Sequence, residues 1–229
     1  MSELLAEGSP DGLFRNAGIF NALPDPLSLY QEPTSMRVLR YLVLAGLLGV
    51  AVPSVAAPVT YQLDPNHTMV LFSWNHFGYS NPTADFGLGE GTVVFDEQHP
   101  ANSSVEVTLP LARLDTHVAA LDEHLKQPDF LDADKYPVVT FKSTKVQPQG
   151  GNKFKVTGNL TVHGVTRPIV LDATLNKVGP HPMSKVQSIG FDATASIKRS
   201  DFGVGAYVPN VGDEITIRIT TEGSVPKRK

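Results

Sequence analysis

Lys153-Phe154-Lys155-Val156-Thr157-Gly158-Asn159-Leu160-Thr161-Val162-His163 puts Phe154, Val156, Leu160 and Val162 on one side of an extended chain. Lys153, Lys155, Thr157, Asn159, Thr161 and His163 fall on the other. Side chains alternate between the two faces of a strand, so this period of two predicts a strand with one buried face and one wet face. A half-wet strand belongs to an antiparallel sheet, because parallel strands are covered on both faces and read as continuous apolar runs.

The same rhythm recurs on both sides of that segment. Towards the C-terminus, Ile169, Leu171, Ala173 and Leu175 share a face, as do Ile189, Phe191, Ala193, Ala195 and Ile197, and then Ile215, Ile217 and Ile219. Towards the N-terminus, Val139 and Phe141 alternate with Thr140 and Lys142, and Val105, Val107 and Leu109 with Glu106 and Thr108. Val70, Phe72 and Trp74 form a further row, and Gly91 to Phe95 is another candidate strand. About eight amphipathic strands result. Pro148-Gln149-Gly150-Gly151-Asn152 and Gly179-Pro180-His181-Pro182 carry turn chemistry between them.

One segment departs from period two. His117 to Lys126 places Val118, Leu121 and Leu125 at helical spacing, with Asp115 or Thr116 as a cap and Pro128 as a stop. Eight such strands and one helix, at about 117–126, predict an all-β barrel or sandwich that the helix covers or plugs. The inward rows mix rings (Phe72, Trp74, Phe95, Phe141, Phe154, Phe191) with small residues (Ser143, Gly158, Ala173, Ala193, Ala195). Eight strands is the size at which a barrel is either filled by its own side chains or holds a ligand, and this pattern allows both.

Composition narrows the function. The chain has 229 residues, no cysteine and a formal net charge of −4. Thiolate chemistry, disulfides and Cys-ligated metals are excluded, and no basic face points to nucleic acid. Met36-Arg37-Val38-Leu39-Arg40 is basic, Tyr41 to Val52 is apolar, and Pro53-Ser54-Val55-Ala56-Ala57 supplies small residues. This is the order of a secretory signal peptide. Its apolar run is about a dozen residues, short of the ~20 that span a bilayer. The expectation is a signal peptide over 36–56, cut after Ala56 because Pro58 disfavours a cut after Ala57. No membrane span would then remain. Residues 1–35 show no helical or strand period and are expected to be a misassigned N-terminal extension or a disordered leader. One domain is expected over 57–229.

Several ordered motifs resemble one family. Leu121-Asp122-Glu123-His124-Leu125-Lys126-Gln127-Pro128-Asp129-Phe130-Leu131, running on through Tyr136-Pro137-Val138-Val139-Thr140-Phe141-Lys142-Ser143-Thr144, is similar to the central motif of the YceI-like family of bacterial periplasmic proteins. Asp64-Pro65-Asn66-His67-Thr68, Gly158 to Thr166, Arg199-Ser200-Asp201-Phe202-Gly203 and Val211-Gly212-Asp213-Glu214-Ile215 match in the same order, so the resemblance spans about Tyr61 to Glu222. Leu131 departs from it, since many members carry a second aromatic after Phe130. The resemblance implies an extended lipocalin-like antiparallel eight-stranded barrel in the periplasm, with a long apolar tunnel. It further implies a polyisoprenoid or isoprenoid quinone-like lipid as ligand, and a link to stress responses.

On that reading Phe72, Trp74, Phe95, Phe141, Phe154, Val156, Ala173, Phe191, Ala193 and Ile217 are the expected ligand contacts. No catalytic residue, metal or cofactor other than the lipid is expected, because the seven histidines show no ligand spacing. His117 and His124, seven apart, would share a helix face near Asp122. Asp122 and Asp129 are expected to satisfy backbone donors. The expected function is a non-catalytic lipid-binding protein, with a homodimer as a further partner compatible with the reading. Two alternatives stand beside it: a periplasmic enzyme using the helix-borne His and Asp, and a stress-induced partner protein with a filled barrel.

Overall fold

The computed structural model describes residues 57–227. The leader expected at 1–35, the signal peptide at 36–56 and the cut after Ala56 therefore lie outside the described residues.

Ten strand segments follow in order: β1 (Val59–His76), β2 (Thr83–Gly87), β3 (Glu90–Phe95), β4 (Ser104–Pro110), β5 (Leu114–Asp115), β6 (Val138–Pro148), β7 (Lys153–Val162), β8 (Val165–Pro180), β9 (Gln187–Lys198) and β10 (Val211–Ser224). They make eight staves. β2 and β3 lie end to end along β1, pairing with Met69–Ser73 and with Val59–Gln62. β4 and β5 continue one another in the same way, against β3 and β2. The remaining strands pair in sequence, all antiparallel, and β10 returns to β1 to close the ring. Closure removes most of the sheet edge, which is how a small antiparallel barrel solves its edge problem.

The alternation that predicted the strands also orients them. Phe154, Val156 and Leu160 are buried while Lys153, Lys155 and Asn159 are exposed. The hairpin from β7 to β8 pairs Val162 with Val165 across His163-Gly164, both at positive φ (50° and 71°). A two-residue turn of that kind matches the twist of the flanking strands and accounts for a glycine there.

The expected helix is α1 (Ala119–Leu125), the one α-helix among the described residues. It starts two residues later than the spacing suggests because His117 sits at φ 64°, outside helical space. Neither Asp115 nor Thr116 caps it. Instead Asp122, in its first turn, reaches back and accepts the Thr116 N–H at 2.7 Å and the Thr116 hydroxyl at 2.6 Å. Asp122 thus satisfies a backbone donor, as expected of it. β2 and β5 are the segments that the periodicity did not show.

Candidate functional site

Both ends of the barrel are filled. At one end Tyr61 is 1% exposed and Ile189 2%. Phe95 packs edge-on against Phe154 and Phe191, with ring centroids 6.4 and 6.1 Å apart. At the other, α1 and the segment after it bring Phe130 and Leu131 over the opening, and the 3-10 turn Arg199–Phe202 adds Phe202 and then Val204. Between the two ends lies a cavity of about 310 Å³. On β10 its wall runs from Val211 to Thr221. The ten steps between those residues cover about 33 Å of chain, or roughly 25 Å along a barrel axis to which strands tilt by 35–45°. The space is therefore long and narrow.

All ten residues expected to contact a ligand lie on that wall. β1 contributes Phe72 and Trp74, β3 Phe95, and β6 Phe141. β7 contributes Phe154 and Val156, β8 Ala173, β9 Phe191 and Ala193, and β10 Ile217. Phe72 bridges Trp74 and Phe86, with ring centroids 5.8 and 5.0 Å away, so three aromatic rings form one surface of the wall.

The small inward residues do different things. Ala173 and Ala193 face each other across β8 and β9 and open onto the cavity. Gly158 opens onto nothing: a Cβ there would come within 2.6 Å of Phe141 Cε2 and 2.7 Å of the Lys142 carbonyl, so its missing side chain seats the Phe141 ring. The Ser143 hydroxyl accepts the Val105 N–H at 2.9 Å. Only part of the small-residue pattern therefore makes space.

Electrostatically the wall is nearly blank. Among the described residues it carries no His, Asp or Glu, and its one charged side chain is Arg199. Burial pulls the Arg199 guanidinium below the ordinary arginine range. It donates to the carbonyls of Val204 (2.7 Å), Gly212 (2.9 Å) and Val211 (2.9 Å), tying the 3-10 turn to the start of β10. The hydroxyls of Thr68 and Thr221 satisfy each other at 2.7 Å. What faces the cavity is hydrocarbon, which favours an apolar occupant and gives it little orientation.

The histidines lie elsewhere. His117 is exposed, 3.5 Å from Asp115, and lies outside the helix, so it shares no helix face with His124. His124 packs on the Phe130 ring at 4.7 Å, on the outer side of the lid. His67 meets Asp64 at 2.7 Å on the surface, and that hydrogen bond raises the His67 pKa and lowers that of Asp64. Among the described residues no three His, Asp or Glu side chains converge as metal ligands would. Asp129 is exposed. Arg199 and the lid residues Leu125 and Val204 were not among the expected contacts. Arg199 opens the Arg199-Ser200-Asp201-Phe202-Gly203 motif, but a strand period does not reach into a turn.

Comparison with known proteins agrees with this geometry. The family model described as a YceI-like domain matches residues 61–223. The protein YceI of Escherichia coli O157:H7 is 37% identical over 182 residues, covering 80% of this chain and 94% of that protein. BcnA of Burkholderia cenocepacia, a crystal structure, superposes with a TM-score of 0.63 at 27% identity, over 70% of this chain and 98% of that one. A polyisoprenoid binding domain from Saccharophagus degradans shares the fold with a TM-score of 0.54 at 14% identity, over 72% of this chain and 98% of that one. A long apolar barrel, its order of motifs and these matches together make the chain a member of the YceI-like family.

Proposed function

We propose that this protein is a non-catalytic carrier that holds a long-chain isoprenoid, of the polyprenyl or isoprenoid quinone type, or a similar amphiphile inside the barrel. The observation that carries this reading is the elongated cavity whose wall is hydrocarbon almost throughout. The ten wall residues from Phe72 to Ile217 are its contacts with the chain of the ligand. Burial of one CH₂ is worth ~0.8 kcal/mol, so an isoprenoid of about forty carbons nominally releases on the order of 30 kcal/mol. Real affinities saturate near ~18–21 kcal/mol, and ordering the flexible chain offsets much of the nominal sum. Tight holding thus needs no charged anchor. A wall without His, Asp or Glu also favours a carrier over an enzyme with helix-borne acid–base groups.

Organic extraction of the natively purified protein, followed by mass spectrometry, tests the reading. It should return one class of long-chain lipid near one molecule per barrel, and a barrel that repeatedly extracts empty would overturn it. We place the carrier in the periplasm, because residues 36–56 have the order of an export signal. N-terminal sequencing of exported material should begin at Ala57, and material that still carried residues 1–35 would sink the export argument.

A further inference from the structure

One stretch of the barrel wall is not zipped. The ladder between β8 and β9 runs from Pro180–Gln187 to Asp172–Thr194 and stops there. Both strands continue. β8 stays paired with β7 back to Val165, and β9 stays paired with β10 on to Lys198. Each follows its other neighbour, and the pair parts. Continued register would set Val170 opposite Ser196 and Pro168 opposite Lys198, yet neither pairing forms. At the far end the Arg167 side chain crosses to the Asp201 carbonyl at 3.1 Å and closes the gap. The result is a window about five residues long, or roughly 16 Å of strand.

The window reaches the cavity. A surface groove lies over it, and Ile169, Ile197 and Phe202 belong both to the groove and to the cavity wall. The groove is two-natured: Val170, 45% exposed, and Pro168 are apolar, whereas Arg167, Lys198, Asp201 and Glu214 are charged, two of each sign. The residue types suit an edge that is meant to stay open. Proline has no N–H to offer a ladder, and charged side chains discourage a foreign strand from pairing there. A second place where neighbouring staves part, β4 and β6 beyond Glu106–Lys142, is filled by the Ser143 bond to Val105 and by the 3-10 turn Pro100–Asn102 packed on β6.

We propose that this seam between β8 and β9 is a lateral portal, through which the chain of an amphiphile enters the cavity while its polar end rests in the groove outside. The proposal rests on the carrier reading. Passage through either end of the barrel must displace buried side chains, Tyr61 and Ile189 at one and Phe130, Leu131 and Val204 at the other. Passage through the seam breaks no main-chain ladder, because none is formed there.

The chain has no cysteine, so a pair of introduced thiols is unambiguous. Val170→Cys with Ser196→Cys spans the seam, and Thr174→Cys with Asp192→Cys spans the paired part of the same two strands as a control. Transfer of a radiolabelled polyprenol between protein and phosphatidylcholine vesicles is timed for each variant, reduced and oxidised. Locking the seam should slow transfer about tenfold or more, reversibly with dithiothreitol, as expected for a closed gate. Polyprenol held at equilibrium should not change, and the control lock should leave the rate as in wild type. If the seam thiols do not oxidise, a short bis-maleimide bridges them instead. Equal rates with the seam locked and unlocked, in a protein that does take up polyprenol, overturn the portal alone. No uptake by the wild type overturns the carrier reading itself.

Discussion

Ala193 is where the nature of the interior comes down to one side chain. It is buried on β9, its neighbours across the ladders are Ala173 and Ile219, and it opens onto the cavity. Thr194, next along the strand, points to solvent. A tryptophan at 193 would enter the cavity and take up length that a lipid chain needs. In a filled barrel the same change would overpack the core by roughly 1–3 kcal/mol. Ala193→Trp should therefore melt close to the lipid-free wild type yet retain much less long-chain lipid, whereas Thr194→Trp should change neither. Melting of lipid-free protein and lipid content per barrel decide the matter together, and an Ala193→Trp that melts far below Thr194→Trp would mean there is no room at that position. The choice of this residue was legible in the sequence, because period two alone puts Ala193 inside and Thr194 outside. Whether Ala193 faces space was not. The same pattern holds Gly158, whose emptiness is used up by the Phe141 ring, and only three-dimensional packing separates the two.

Strands were legible where apolar residues recur at every second position in a clear row, and illegible where the row is too short or too mixed to stand out. β2 is five residues beginning after Pro82 and ending at Gly87, and β5 is two, so neither offers enough periods to register. The start of α1 was misread for another reason. Asp115 and Thr116 have the chemistry of caps, but the acceptor is Asp122, reaching back 6 residues, further than the capping box does. Those two hydrogen bonds hold the Asp122 carboxyl below the ordinary carboxylate range. A folded pKa below the unfolded one, which is roughly 3.9, gives stability that is present above the unfolded value and lost as pH falls through the folded one. Asp122→Asn keeps the shape and removes the charge. It should lower Tm by a few degrees at neutral pH, and wild type and variant should converge as the pH is brought below the carboxylate range. A gap of constant size down to the acid limit would show that charge at Asp122 plays no part in holding α1.

For the whole molecule the question is how far the barrel depends on what fills it. Its ring is closed by antiparallel pairing around most of the wall, with the β8–β9 seam as a stretch left unpaired, and both ends are packed with side chains of its own. An apolar cavity left empty stays dry rather than collapsing or flooding, so the lipid-free barrel should remain folded. A ligand that binds only the folded state raises stability by mass action, by about 4 kcal/mol when its free concentration is a thousand times Kd. For a domain of this size each kcal/mol moves Tm by about 2–4 °C. Loaded protein should therefore melt roughly 8–16 °C above stripped protein, and reloading with polyprenol from vesicles should restore the difference. Ala193→Trp supplies the internal control, because it should melt alike before and after stripping. A wild-type barrel indifferent to its extractable lipid would place that lipid on the surface, and one that unfolds when stripped would make the lipid part of the core. The predicted intermediate behaviour, folded when empty and firmer when full, is what a protein needs if it is to give its ligand up and take another.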